Sequence, residues 1–126
     1  MRVMAIVKGT QERASGSAPD QRLQSEMGTF NEALVKAGVM LDREGLHPSA
    51  RGARVRFSGA TRTVTDGPFI DSTGLVAGYW LWQVKSIDEA IEWAKRCPNP
   101  TGADTEIEIR QVVETDDRPH TQPITT

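Results

Sequence analysis

The segment from Ala77 to Lys85 constrains the fold of this chain more than any other feature, because it is strand-like and apolar on both faces. Successive side chains of a strand point to opposite sides of a sheet. Tyr79 and Leu81 therefore share one face, and Trp80 and Trp82 share the other. A strand with one face in water should alternate apolar with polar residues. We therefore expect both faces of the sheet to be covered.

The amino-terminal segment has the same two-faced character, since Val3, Ala5 and Val7 alternate with Met4 and Ile6. A chain of 126 residues suits one domain with a single core and leaves no segment for a third layer. We therefore predict a homodimer that buries one apolar sheet face, either the tryptophan face or the opposite one. The alternative is that these are the scattered apolar side chains of an ordinary surface.

Two helices are predicted between the strands. From Pro19 to Ala37, apolar residues recur at spacings of 4, 3, 4 and 3, which forms one stripe along a helix. Gly38 suits the carboxyl-terminal cap, where a left-handed residue is favoured. Ser86 and Glu89 have the spacing of a capping box, which predicts a second helix that runs to about Cys97 and stops before a proline.

The predicted elements follow the order β-α-β-hairpin-β-α-β. This order is typical of an α+β, ferredoxin-like split βαβ sheet with both helices on one face, and a β-hairpin is inserted in it. We expect a single domain over residues 1–115, followed by a polar, flexible tail over residues 116–126. The predicted strands are Val3 to Val7, Val39 to Leu46, Arg54 to Ser58, Arg62 to Thr65, Ala77 to Lys85 and Thr105 to Val113.

Charge and composition exclude several function classes. The net charge is −2 and the acids and bases are interleaved, which argues against a nucleic-acid groove or a membrane-binding surface. No apolar run is long enough to span a bilayer, and the amino terminus does not resemble a signal peptide. With one cysteine, Cys97, the chain forms no internal disulfide, so we expect a cytoplasmic protein. No cluster has metal-ligand spacing and no motif indicates a cofactor.

Several motifs resemble the YCII-related proteins, and most closely their DGPF subgroup. They lie in the expected order and together span nearly the whole domain. They are Val64–Phe69 (VTDGPF), Gly78–Trp80, Asp88–Ala94, Cys97–Pro98 and Ile107–Arg110. The resemblance implies a dimeric α+β barrel, in which two ferredoxin-like sheets face each other around a cleft.

The resemblance implies two different functions. Some members of the broader group carry a His–Asp pair in the cleft, and a relative acts on chlorinated hydroxyquinones, which implies a small-molecule enzyme with an acid–base carboxylate. Members of the DGPF subgroup tend to accompany extracytoplasmic-function sigma factors, which implies a non-catalytic, ligand-sensing or regulatory module. This chain has no histidine in its first helix, and Asp71–Gly74 replaces the usual Glu-Thr-Lys-Glu after Phe69.

Asp66 is the candidate catalytic residue, because it ends a strand just before a flexible Gly67, a rigid Pro68 and an aromatic Phe69. A carboxylate fixed beside aromatic side chains could have a raised pKa and serve as an acid or a base. The alternative is an Asx-turn, in which the aspartate accepts hydrogen bonds from its own backbone.

Glu108, Arg110 and His47 are the candidate binding residues. Glu108 and Arg110 are two positions apart on one strand and share a face with Glu106, so Arg110 could bind an anion inside a cleft. They could equally form an ion pair on a solvated face. His47 lies at a strand exit and could supply the missing imidazole, or it could be an ordinary surface histidine.

Overall fold

The computed structural model of the protein describes residues 1–9, 21–69, 74–99 and 105–115. The predicted tail and the predicted first turn of the first helix lie outside these residues. A short 3-10 turn, Ser49–Arg51, precedes the hairpin. The helices and strands are β1 (Arg2–Lys8), α1 (Gln21–Lys36), β2 (Met40–Gly45), β3 (Ala53–Ser58), β4 (Thr61–Asp66), β5 (Val76–Gln83), α2 (Ile87–Lys95) and β6 (Ile107–Gln111).

Four strands form one antiparallel sheet in the order β2-β5-β1-β6, and β3 pairs with β4 in a separate two-stranded sheet. The helix α1 joins β1 to β2 with β5 between them, and α2 joins β5 to β6 with β1 between them. Both crossovers are therefore split βαβ units. This confirms the predicted α+β, ferredoxin-like fold with an inserted hairpin.

Local signals in the sequence fix the ends of both helices. Gly38 follows α1 with a φ of 73°, a left-handed conformation that favours glycine. Ser86 caps α2, since its Oγ accepts a hydrogen bond from the backbone N–H of Glu89 at 3.1 Å. The carboxylate of Glu89 accepts from the backbone N–H of Lys85 at 2.7 Å. The capping box is confirmed, and its return bond goes to the residue before the cap.

The core lies between the helices and one face of the four-stranded sheet. Val3 is directly opposite Trp82 and Ala5 is directly opposite Trp80, so these four side chains share the covered face. All four are buried, and the ring of Phe30 from α1 meets that of Trp80 edge-on at 5.6 Å. Burying each large apolar side chain contributes about 1.5–3 kcal/mol relative to exposing it. The tryptophan face is therefore the inner face of the protein.

The opposite face of the sheet is covered by none of the helices that the structure describes. Its centre is apolar, with Met4 opposite Leu81 and Ile6 opposite Tyr79, and we call these four residues the open-face cluster. All four are half-buried. Within the described part of the chain, no helix is long and apolar enough to cross a membrane.

Candidate binding cavity

A cavity of about 500 Å³ lies between α1 and the β2–β5 edge of the sheet. It borders the inner face, and Tyr79 is the member of the open-face cluster that reaches it. Glu44 and Tyr79, which point to the other face by strand alternation, border its rim. The residues on its inner side are Val7, Met27, Asn31, Arg43, Gly45, Gly78 and Trp80.

The cavity exists because two glycines face each other across β2 and β5. Gly45 is directly opposite Gly78, and Gly78 is directly opposite Val7. This row of the inner face therefore has a side chain on β1 and none on the next two strands. A Cβ added at Gly78 would lie 2.7 Å from the carbonyl oxygen of Glu44, whereas a Cβ at Gly45 would meet nothing within 4 Å. Close strand pairing thus requires Gly78, and Gly45 leaves open space.

Asn31 is the polar residue that α1 places in this cavity. Only 8% of its surface is exposed. Its Oδ1 accepts a hydrogen bond from Nε1 of Trp80 at 2.9 Å, which orients the amide. The Nδ2 group makes no hydrogen bond with any residue that the structure describes. Its two N–H donors are therefore held in place and available.

Arg43 supplies positive charge at the edge of the same cavity. It lies directly opposite Trp80, so its side chain starts from the inner face of β2. Its guanidinium forms no ion pair or hydrogen bond with the described residues. An exposed guanidinium and a buried amide donor therefore border one space, together with the apolar side chains of Val7 and Met27.

The predicted pair Glu108 and Arg110 lies on the open face, beside the open-face cluster. Nη1 of Arg110 donates to Oε2 of Glu108 at 3.1 Å, and Nζ of Lys8 is 3.4 Å from Oε1. These two cations, Arg110 first and then Lys8, hold the pKa of the Glu108 carboxyl below its ordinary value. Glu108 is therefore a stable carboxylate near neutral pH, and Arg110 is already paired with it.

Asp66 and His47 lie elsewhere. Asp66 ends β4 opposite Ala53 and is exposed, and its carboxylate accepts no hydrogen bond from the residues that the structure describes. His47 is also exposed, and one guanidinium nitrogen of Arg51 lies 3.1 Å and 3.2 Å from its two ring nitrogens. Neither residue lines the cavity. The structure brings Glu108 and Arg110 together and leaves Asp66 and His47 apart from them.

The segment that follows Asp66 is fixed to the 3-10 turn before the hairpin. The backbone N–H of Gly67 donates to the carbonyl of Gly52 at 3.0 Å, and the backbone N–H of Phe69 donates to Oγ of Ser49 at 2.9 Å. A Cβ at Gly67 would collide with the backbone of Ser49. The guanidinium of Arg54 lies 3.9 Å from the centre of the half-buried Phe69 ring. This segment is therefore anchored by its backbone and by one aromatic contact.

Asn31 and Arg43 do not stand out in the sequence as site residues. Asn31 immediately follows Phe30 and lies four positions after Met27, so it occupies the inner side of the apolar stripe. A polar residue at such a position is the one signal that could have found it. No group of three or more His, Cys, Asp or Glu residues in the described part of the chain could hold a metal ion.

Comparisons with known proteins match most of the chain. A family model described as the YCII-related domain matches residues 1–116. An uncharacterized protein of Rhizobium meliloti strain 1021 is 28% identical over 91 residues, which cover 72% of this chain and 73% of that protein.

Proposed function

Because the chain belongs to the YCII-related family, we propose that it is a homodimeric module that binds a small molecule in the cavity beneath α1. The observation that carries this proposal is the buried side chain of Asn31, which lines the cavity and whose Nδ2 has no partner among the described residues. Ligand sites are concave, mostly apolar and equipped with a few well-placed polar groups, and this cavity has all three properties.

The groups in the cavity favour binding over chemistry. The amide of Asn31 does not titrate, and the guanidinium of Arg43 offers hydrogen-bond donors and no acceptor. Such groups position a ligand but transfer no proton. A regulatory use, in which the ligand-bound dimer meets a sigma factor, is the form of this proposal that the resemblance to the DGPF subgroup supports.

An acid–base enzyme is the second candidate, because the residue Glu44 borders the cavity rim. A carboxylate within reach of a bound molecule could take or give a proton. Binding and turnover are separated by incubating the protein with a bound compound and following the compound by chromatography. Unchanged compound supports the module, and conversion supports the enzyme.

The dimer part of the proposal is supported by the open face of the sheet. The open-face cluster lies between charged borders, with Asp42 and Glu44 on β2 and with Lys8, Glu108 and Arg110 on β1 and β6. An apolar centre with a charged rim is the usual composition of a protein interface. A two-fold axis parallel to the strands would place the acidic β2 border of one copy against the Lys8 and Arg110 border of the other.

The dimer is tested by light scattering after size-exclusion chromatography. We expect twice the chain mass of 13.8 kDa, and we expect Leu81→Asp to reduce the mass to that of one chain. Val35→Asp is the matched control, because Val35 is apolar and 62% exposed on α1, away from the open face. A single-chain mass for the unaltered protein would refute the dimer.

Ligand binding is tested by screening small molecules for thermal stabilisation and then comparing hits on Gly45→Val. Valine suits a strand, and the first carbon of its side chain meets no neighbouring atom, so this change should fill the cavity without disturbing the sheet. We expect hits to lose stabilisation on this variant. Hits that stabilise it equally well bind elsewhere and contradict the proposed site.

A further inference from the structure

Resting on the proposed function, we infer that the cavity selects small carboxylates with an apolar body, held by the amide of Asn31 and the guanidinium of Arg43. Nothing in the family match assigns a ligand class to this protein. The inference follows from which hydrogen-bonding groups border the cavity and which of them are already engaged.

Asn31 can donate to a ligand through Nδ2. Its Oδ1 is engaged by Nε1 of Trp80 at 2.9 Å, so rotating the amide would place an N–H against the indole N–H. The Nδ2 group is therefore the part of the amide that remains available to a ligand. Because Nδ2 has no partner among the described residues, a ligand that brings an acceptor oxygen to it gains a hydrogen bond that a ligand without such an oxygen lacks.

Arg43 determines the charge of the preferred ligand. Its planar guanidinium matches a carboxylate in geometry, and it has no partner among the described residues. Because Arg43 is a cation and Asn31 is neutral, the two groups together balance a single negative charge on the ligand. Glu44 borders the rim but projects from the other face of β2, so its carboxylate does not occupy the inner face beside Asn31.

The rest of the ligand must be apolar, because the remaining inner walls are Val7, Met27 and the indole of Trp80. The volume of about 500 Å³ exceeds what a carboxylate alone would fill. A ring or a short branched chain that carries one carboxylate matches both the walls and the donors.

Benzoate is a suitable probe, and benzyl alcohol, with the same ring and no charge, is its neutral counterpart. The readout is the indole N–H signal of Trp80 in a proton–nitrogen correlation spectrum, because this N–H bonds to Asn31. The chain has three tryptophans, so Trp82→Phe and Trp93→Phe identify the signal by elimination. We expect benzoate to shift the signal saturably and benzyl alcohol to bind at least about tenfold more weakly.

Two variants test the two groups separately. Asn31→Asp at pH 8 keeps an oxygen for the indole N–H but replaces the donor by an acceptor, so benzoate should bind at least about tenfold more weakly. Arg43→Met keeps the length of the side chain and removes its charge, and a similar loss is expected. Arg56→Met, on the exposed strand β3, is the matched control and should bind benzoate normally. The indole signal without ligand checks that each variant is folded.

The inference is overturned if benzoate produces no saturable shift, or if it binds no better than benzyl alcohol and Arg43→Met leaves its affinity unchanged. In the second case the cavity still binds ligands and the proposed function survives. Failure of the proposed function gives a different result, because then no compound of any charge stabilises the unaltered protein more than it stabilises Gly45→Val.

Discussion

Replacing Gly78 by alanine tests the close approach of β2 and β5 from which the cavity follows. The added Cβ would lie 2.7 Å from the carbonyl oxygen of Glu44 and 3.2 Å from Cα of Gly45. Ordinary contacts begin near 3.4 Å, so the edge strand must move by several tenths of an ångström. Both contacts are with backbone, which cannot rotate away as a side chain can.

Forcing an extra carbon into such a contact costs about 1–3 kcal/mol. For a chain of this size, each kcal/mol corresponds to about 4 °C in Tm, so we expect a decrease of about 4–12 °C. The matched control is Gly45→Ala, directly opposite in the register, where the added carbon meets nothing within 4 Å. Alanine restricts the unfolded chain, so this variant should be unchanged or more stable by up to about 1 kcal/mol.

The assay is thermal unfolding followed by circular dichroism, with urea unfolding as the second measurement. All variants must be compared at one protein concentration, because the Tm of a dimer depends on concentration. The urea slope should be unchanged, which would show that the same surface is exposed on unfolding. Equal effects of the two substitutions, or no effect of Gly78→Ala, would show that the strands are not as close as the structure places them.

Two further predictions concern residues outside the cavity. Burial raises the pKa of the Cys97 thiol to about 11. At pH 8 the folded protein should therefore be alkylated at Cys97 roughly two-hundredfold more slowly than the urea-unfolded chain, and its rate should rise about tenfold per pH unit up to that pKa. Equal alkylation rates for the folded and unfolded chains would contradict the burial of this thiol. Asp66→Asn should change the free energy of unfolding by less than about 0.5 kcal/mol, because the carboxylate has no hydrogen-bond partner among the described residues, and loss of ligand binding in this folded variant would restore Asp66 as a functional residue.

The order of elements could be predicted from the sequence because the signals for it are local. Ser86 and Glu89 mark the start of α2 within four residues, and Gly38 marks the end of α1 by itself. The hairpin was predicted in the same way, and its connection in the structure is Gly59-Ala60. Each signal depends only on neighbours along the chain. The strand ends were predicted less well, since β1, β3 and β4 extend beyond the predicted bounds, whereas β6 is confined to Ile107–Gln111.

The choice of sheet face could not be predicted, because alternation shows which side chains share a face and not which face the helices cover. The cavity could not be predicted from the sequence for a similar reason. It depends on Gly45 lying opposite Gly78, and these residues are separated by the whole inserted hairpin. An irregularity between Met40 and Asp42 shifts the register of β2 further. Asp66 was predicted as a site residue because its motif is recognisable in the sequence, whereas the position of Asn31 beside the cavity is recognisable only in the structure.

The strand β5 connects the two surfaces from which the proposed function is built. Trp80 faces the cavity and holds Asn31, while its neighbours Tyr79 and Leu81 belong to the open-face cluster on the other side. A ligand that orders the cavity and a partner copy that orders the open face therefore act on consecutive residues of one strand. Any free energy that couples them must be reciprocal, so a ligand that tightens the dimer would itself be bound more tightly by the dimer, and by the same factor. The proposed sensing function would use such coupling, and β5 is the strand that the two surfaces share.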